Sequence, residues 1–336
     1  MRPLLIIMVA VLIAMSSVNA SAGEDHPTFV FPVDCKIGTS CWIPNYVDMK
    51  PGKGVLDYAC GDATYDAQPH DQHKGTDIAV LDMAAVRYGI PVFAAAAGDV
   101  LSQRDGIPDN DLNERTDKVV SSMACGNGVR IQHDNGYISQ YCHMKKGSVF
   151  VMPGERLKRG QFIGQVGLSG WTEFPHLHFQ VTKDGQVVDP FAGVDRQNRC
   201  GVGKHTLWDQ KTLAAIPYEP TAIYNMGFAS AKPDFKAIRS GLYKAKTFST
   251  EVPALVVWAD IFRVKKNDRL VLQIKNPRGQ IIHDKVVPIT RTQVRYARFS
   301  GLRLKQAKWP VGTYQATVSL KRGTKTFVAK RTINIH

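Results

Sequence analysis

Short runs of alternating apolar and polar residues are the main pattern along this chain. Examples are residues 129–133, 137–141 and 161–166, which lie among Gly, Pro and Asn-Gly positions. A period of two indicates strands with one buried face, and convincing helical periods are few. The Asp134-Asn135-Gly136 segment between two of these runs predicts a tight hairpin turn. The first part of the chain should therefore be mainly antiparallel sheet, with a long polar surface loop over residues 104–124.

The pattern changes at a boundary near residues 217–220, where Pro residues follow the last cysteine. Beyond it, apolar runs predict further strands, and Gly or Pro between them predicts turns. The runs are residues 254–258, 270–274, 294–299 and 313–320, and the turns are residues 276–279, 310–312 and 322–323. We expect a linker at 206–220 and a small immunoglobulin-like β-sandwich at 221–336.

The N-terminus has the features of a cleaved signal peptide. Arg2 precedes an apolar stretch at residues 4–15, and residues 18–20 or 20–22 offer a small-residue cleavage site. The stretch is shorter than the roughly 20 residues that span a bilayer. We therefore expect a signal peptide at 1–20, no transmembrane anchor after cleavage, and a periplasmic or secreted protein.

The six cysteines agree with export, because an even number in an oxidising compartment favours disulfides. Several pairings are open to the sequence. Cys35 with Cys41 would close a local loop, and Cys125 could face Cys142 across the predicted hairpin, which would leave Cys60 for Cys200. A cysteine zinc site is disfavoured because the chain has no Cys-x-x-Cys pair. Residues 21–70 are expected to form an N-terminal arm that carries three of these cysteines.

Charge separates the two halves of the chain. Residues 21–220 carry 19 Lys and Arg against 24 Asp and Glu, whereas residues 221–336 carry 23 against 5, a net charge of +18. Such a basic domain in an exported protein points to anionic envelope polymers or lipid head groups as partners and argues against nucleic acid. The alternative is a surface that is basic only for solubility.

Five residues suggest the chemistry: His73, Asp77, His143, His176 and His178. Catalytic zinc takes three protein ligands from imidazole and carboxylate and leaves one position open, so two of the five would remain to handle protons. In a strand His176 and His178 point to the same face, and Leu177 points to the other. Buried imidazoles without partners are costly, so a His-x-His pair in an apolar strand needs a reason.

On these motifs the chain resembles the lysostaphin-type, LytM-like zinc endopeptidases, also called the beta-lytic metallopeptidase family. The resemblance runs through residues 73–79, 92–98, 128–133, 141–144, 154–164, 167–170, 175–179 and 189–190. It implies an antiparallel, duplicated hybrid motif-like catalytic domain, which we place at 71–205. It also implies that His73, Asp77 and His178 hold one Zn²⁺, while His143 and His176 act on water or steady the oxyanion. The implied substrate is the peptide cross-links of peptidoglycan.

Two positions depart from the family pattern. Phe174 stands where a small residue usually precedes Pro-His, and Gln180 stands where Glu often follows the motif. These departures concern substrate preference. Trp171 and Phe174 could line the cleft, and Tyr141 would share the strand face of His143, where it could meet substrate or simply pack in the core.

Two other functions compete with zinc-dependent peptide hydrolysis. A non-catalytic envelope protein of the same fold would bind peptidoglycan or regulate another hydrolase, but such proteins usually lack some zinc ligands, and this chain retains all five positions. A structural zinc module would need four closed ligands. Within the enzyme hypothesis, the arm could block the site, with Asn45 or Asp48 offering an oxygen to zinc.

Overall fold

The computed structural model describes residues 26–68, 71–110, 121–194 and 200–336. Antiparallel β-sheet dominates, which confirms the predicted fold class. The first half contains strands β1 Cys41–Asn45, β2 Asp66–Gln68, β3 Asp71–Gln72, β4 Gly75–Val80, β5 Pro91–Phe93, β6 Gly98–Arg104, β7 Asn127–Gln132, β8 Tyr137–Met144, β9 Arg156–Leu157, β10 Phe162–Gln165, β11 His176–Lys183 and β12 Gln186–Val188. Helices α1 Met83–Tyr88 and α2 Gln210–Ala215 accompany them.

The main sheet has the order β1-β4-β11-β8-β7-β6-β9, and β12 pairs with β11. Strands β7 and β8 form the predicted hairpin. Asn135 and Gly136 at its turn have φ of 57° and 78°, the left-handed values that Asn and Gly tolerate best. The three adjacent strands β4, β11 and β8 lie near the middle of the sheet, which gives any residues on them a rigid support.

One hydrophobic core joins the arm to the main sheet. It includes Phe29 and Tyr46 from the arm, Ile78 and Leu177 from β4 and β11, and Trp208 after the last cysteine. Strand β1 of the arm also pairs with β4. The arm is thus an integral layer of this half.

The six cysteines form three disulfides, Cys35–Cys41, Cys60–Cys200 and Cys125–Cys142, which confirms the expected pairing. The predicted signal peptide lies outside the described residues. Among the residues that are described, no helix is long and apolar enough to cross a membrane. The predicted loop at 104–124 is partly described, and Asp109 in it bridges to Ser169.

The C-terminal half consists of two sheets packed on a second core. Its elements are β13 Ala222–Ala229, α3 Phe235–Arg239, β14 Thr247–Phe248, β15 Ala254–Val264, β16 Arg269–Lys275, β17 Ile281–Pro288, β18 Gln293–Arg303, β19 Gly312–Arg322 and β20 Lys325–Ile335. One sheet has the order β13-β15-β18, and the other has the order β14-β20-β19-β16-β17. Both contribute to one hydrophobic cluster, as in a β-sandwich. The immunoglobulin-like type stays a prediction.

Candidate metal centre

The predicted site residues come together on β4, β11 and β8. Asp77 on β4 lies directly opposite His178 on β11, and His178 in turn lies opposite Cys142 on β8, next to His143. His73 precedes β4, and its ring reaches both Asp77 and His178. The strand alternation predicted for β11 also holds, because Leu177 is fully buried in the core behind the site.

His73, Asp77 and His178 place three ligand atoms within bonding reach of one ion. His73 Nε2 is 3.1 Å from Asp77 Oδ1, His178 Nδ1 is 2.9 Å from the same oxygen, and the two nitrogens are 3.3 Å apart. A tetrahedral Zn²⁺ with ligands at about 2.0–2.1 Å would separate its donor atoms by roughly 3.3 Å. This donor set therefore fits zinc in both chemistry and spacing.

A second group of potential ligands, His143, His176 and His178, overlaps the first. His176 Nε2 lies 3.3 Å from Asp77 Oδ1, and the rings of His143 and His176 are 4.7 Å apart. The site thus gathers four imidazoles around one buried carboxylate.

Backbone carbonyls orient three of these imidazoles. In each case Nδ1 lies at hydrogen-bond distance from a carbonyl oxygen, so Nδ1 carries the proton and Nε2 keeps its lone pair. The pairs are His73 with Tyr46 at 2.7 Å, His143 with Ser169 at 2.8 Å and His176 with Phe174 at 2.8 Å. Thr172 Oγ1 is a further contact of His176 Nδ1 at 3.2 Å. Sequence reasoning did not single out Tyr46, Ser169 or Thr172 for this role, because two of them act through the backbone.

Burial and neighbouring charges shift the pKa values of the site residues in opposite directions. Burial alone would raise the pKa of Asp77, but the surrounding imidazoles, His73 first, hold that pKa well below its usual range. Burial lowers the pKa of His143 well below its ordinary value, and neighbouring His176 and His178 add to the shift. Burial likewise lowers the pKa of His178. Asp77 outweighs burial at His73 and raises its pKa. The site therefore holds an ionised carboxylate, with His143 and His178 biased toward the neutral form.

His143 has an unusual backbone. Its φ is 62°, a left-handed value that is uncommon for a non-glycine residue, and its amide donates to the carbonyl of Cys125 at 2.8 Å. Such strain persists where the surrounding structure enforces it, often at functional sites. Here the disulfide between Cys125 and Cys142 adjoins both ends of that contact.

The turn at His143 also corrects the expectation for Tyr141, which was to share its strand face. Strict alternation fails at a left-handed residue. Tyr141 is fully buried, its hydroxyl accepts from the amide of Ala95 at 2.8 Å, and burial raises its pKa to about 12. Tyr141 is a core residue.

Gly75 leaves room for the ring of His178. A Cβ at this position would lie 2.6 Å from His178 Nε2 and 2.8 Å from the carbonyl oxygen of Phe179. Any side chain here would displace a candidate ligand or the neighbouring strand.

Phe174 lies between the site and the C-terminal half. Its ring stacks on His176 with centroids 4.5 Å apart and contacts Phe262 at 5.4 Å. A cavity of about 470 Å³ adjoins it, lined also by Glu173, Arg291 and Arg295. Substrate contact by Phe174 and the exposed Trp171 remains a prediction.

Neither arm residue offers the site an oxygen, contrary to the suggestion made for Asn45 and Asp48. Asn45 donates its amide nitrogen to Asp77 Oδ2 at 2.7 Å, and its oxygen accepts from Arg263. Asp48 Oδ1 accepts from the amides of Lys50 and Leu56, and Asp48 belongs to neither group of potential metal ligands. The arm thus contacts Asp77 through the Asn45 amide nitrogen.

Comparison with known proteins identifies the central region. The model of peptidase family M23 matches residues 71–190, which contain all five candidate residues. Residues 71–190 are an M23 peptidase domain. Two proteins of Vibrio cholerae resemble the M23 domain: peptidoglycan DD-endopeptidase ShyA is 32% identical over 117 residues, and ShyC is 35% identical over 118. Each match covers 35% of this chain and 22% of the Vibrio protein, so the chain matches less than a quarter of either relative.

A solved structure with some similarity is the catalytic domain of EnpA, a prophage-encoded M23 protein of Enterococcus faecalis. It aligns with 23% identity and a TM-score of 0.28 over 50% of this chain and 96% of its own. A score this low supports no inference. The M23 assignment rests on the sequence match and on the geometry of the five residues.

Proposed function

We propose that this protein is an exported zinc metalloendopeptidase that hydrolyses peptide cross-links of peptidoglycan. The observation that carries the proposal is the convergence of His73, Asp77 and His178 on one point with His143 and His176 beside it. Three ligands plus two additional imidazoles suit a hydrolytic site, whereas a structural zinc site would be closed by four ligands.

In this proposal His73 Nε2, Asp77 Oδ1 and His178 Nδ1 hold one Zn²⁺. Zinc bound there would polarise the scissile carbonyl and lower the pKa of water. Asp77 supplies the negative charge of the ligand set, and the buried surroundings strengthen its attraction for a cation.

His143 and His176 handle protons. Their Nδ1 atoms are committed to backbone carbonyls, which leaves Nε2 of each ring to face the site. His143 Nε2 would accept a proton from the attacking water and pass it to the leaving amine, while His176 Nε2, 3.3 Å from Asp77 Oδ1, would assist beside it. The low pKa of His143 keeps that ring neutral, as a base must be. General acid–base catalysis of this kind contributes roughly 10² to 10⁴-fold.

The substrate class is inferred from the relatives. ShyA and ShyC are named peptidoglycan DD-endopeptidases, and their similarity covers the M23 domain with its candidate ligands. Three disulfides support an oxidising compartment, as the periplasm and the cell exterior provide.

The basic C-terminal half is proposed to hold the enzyme near anionic envelope polymers. Many of its cations are exposed, among them Lys325, Lys330 and Arg331 on β20. Attraction of this kind is screened by salt. Pelleting of the protein with cell-wall sacculi should therefore fall as salt rises, and substitution of these three residues by Gln should weaken it. Salt-independent pelleting would contradict an electrostatic anchor.

Digestion of purified peptidoglycan tests the enzymatic proposal. The zinc-loaded protein, His178→Ala and His143→Ala are compared, and the products are identified by mass. New peptide termini with the wild type alone would establish the endopeptidase and name the bond. Absence of cleavage by a folded, zinc-replete wild type would favour a binding or regulatory protein.

A further inference from the structure

Arg263 is a C-terminal residue that reaches into the catalytic half. Strand β15 places every second residue from Leu255 to Ile261 in the sandwich core. The next core residue is Val264, three positions later, so the alternation is broken between them. The break occurs at Arg263, whose φ is 54°. This left-handed residue turns the guanidinium out of the sandwich, at a conformational cost that the rest of the structure must offset.

Four hydrogen bonds fix the buried guanidinium, and every acceptor belongs to the N-terminal arm. Nε donates to the carbonyl of Pro44 at 2.7 Å, and Nη1 donates to that of Asp62 at 2.8 Å. Nη2 donates to the carbonyl of Thr64 at 2.7 Å and to Asn45 Oδ1 at 2.5 Å. Arg263 is only 9% exposed, so these bonds are shielded from water.

Asn45 connects Arg263 to the metal centre, because it contacts both Arg263 and Asp77. It pairs with Asp77 across β1 and β4, is 2% exposed, and donates its amide nitrogen to Asp77 Oδ2. A guanidinium can only donate and a carboxylate can only accept, so the two contacts determine which way the Asn45 amide faces. Asp77 Oδ1 is left for the three imidazole nitrogens of His73, His176 and His178.

We propose that Arg263 and Asn45 are positioning residues that hold Asp77 with one oxygen committed to the protein and the other turned to the metal. The C-terminal half is then part of the zinc site as well as a candidate anchor. This inference rests on the proposed zinc site and extends it to a residue outside the M23 domain. Partners that orient a metal ligand typically contribute roughly 10 to 100-fold to metal affinity.

The test measures zinc affinity of the full protein by competition with a chromophoric chelator, together with the visible absorption of the Co²⁺-substituted protein. Asn45→Ala and Arg263→Ala should each weaken zinc binding by roughly 10 to 100-fold and alter the Co²⁺ spectrum. If Arg263 acts through Asn45, the zinc affinity of the double variant should equal that of whichever single variant has the lower zinc affinity.

Lys265→Ala is the matched control. Lys265 also joins the two halves, through an ion pair with Asp62 at 2.8 Å, but both side chains are partly exposed and lie outside the relay from Arg263 to Asp77. Its zinc affinity should stay within about twofold of wild type. If Arg263→Ala does not fold, Asn45→Asp still separates the steps, because it keeps an acceptor for Arg263 while removing the donor to Asp77. We expect it to bind zinc more weakly.

The outcomes separate this inference from the proposed function. Tight zinc binding with an unchanged affinity in Asn45→Ala and Asn45→Asp would overturn the relay and leave the enzyme proposal standing. Additive losses in the double variant would also overturn it. Weakened zinc binding in a protein that cleaves no peptidoglycan would support the relay and contradict the enzyme. A wild type that binds no zinc would overturn both.

Discussion

Both halves of the molecule bury carboxylates almost completely, and two of these, Asp77 and Asp260, differ in their partners. In the C-terminal half, Asp260 Oδ2 accepts from the Tyr224 hydroxyl at 2.5 Å, from Arg295 at 3.0 Å and from Arg239 at 3.1 Å. In the M23 domain, Asp77 Oδ1 faces three imidazole nitrogens at 2.9–3.3 Å. Both residues are 1% exposed.

The difference teaches how to separate a structural charge from a functional one. Asp260 meets permanent cations and a hydroxyl, so its charge is compensated inside the protein. Asp77 meets imidazoles, of which His178 is biased toward the neutral form by burial. Imidazoles also bind metals through a ring nitrogen, so a carboxylate with imidazole partners can share them with a cation from solution. Burial of a carboxylate alone would not have distinguished the two sites.

Asp77→Asn is expected to have the largest effect. The amide keeps the size of the side chain but removes the only carboxylate in the proposed ligand set, so zinc affinity should fall at least about 100-fold. Peptidoglycan cleavage should be lost, while the fold should survive. Zinc content by mass spectrometry and turnover by product analysis measure both effects. Retention of zinc would mean that His143, His176 and His178 form the ligand set.

Asp260→Asn is the counterpart in the C-terminal half. Removal of this charge leaves Arg295 and Arg239 without their shared carboxylate, and breaking such a buried pair costs about 3–5 kcal/mol. Urea unfolding should show this loss, whereas zinc affinity below the unfolding transition should be unchanged. Lost zinc binding without lost stability would reverse the roles assigned to the two carboxylates.

Covalent cross-links give a second contrast, because all six cysteines lie before residue 201 and the C-terminal half has none. Replacement of Cys125 and Cys142 by Ser should cost about 3 kcal/mol, the value for closing a loop of this length. Turnover should also fall with little change in zinc affinity, since the bridge braces the strand that carries His143.

The pair Cys35 and Cys41 provides the control for that experiment. Its loop is shorter, so its replacement by Ser should cost only about 2 kcal/mol. Cys41 lies on β1, which β4 and β11 separate from the strand of His143, so turnover of the remaining folded protein should match the wild type. Equal losses of turnover in both double variants would indicate a general effect of stability.

Local patterns predicted much of this structure. Alternation and Asn-Gly located the hairpin of β7 and β8, and five chemically suited residues identified the site before their distances were known. The strand β13 was not singled out, because its Gly and Asn interrupt the apolar pattern. The prediction that Tyr141 shares a strand face with His143 was wrong. It assumed strict alternation along β8, and the left-handed backbone at His143 breaks that alternation.

Arg263 could not have been found from the sequence. It is one of 23 cations in its half, and its significance depends on a left-handed φ and on contacts with residues about 200 positions away. The sequence suggested Asn45 as a polar residue near the site, but the orientation of its side-chain amide depends on Arg263. Sequence identifies which residues can do chemistry, whereas long-range packing decides which ones support them.

Two Tyr→Phe substitutions give the smallest and most specific test of the contrast. Tyr224→Phe removes a hydrogen bond to a charged group and should cost about 2 kcal/mol, whereas Tyr141→Phe removes a neutral bond to the Ala95 amide and should cost about 1 kcal/mol. Both changes should leave cleavage intact, because the Tyr141 hydroxyl points into the core and Tyr224 lies in the other half. Chemical denaturation and peptidoglycan digestion measure the two effects. If Tyr141→Phe lowers turnover more than stability, Tyr141 reaches the substrate after all, and the left-handed turn at His143 does not separate the two side chains in the working enzyme.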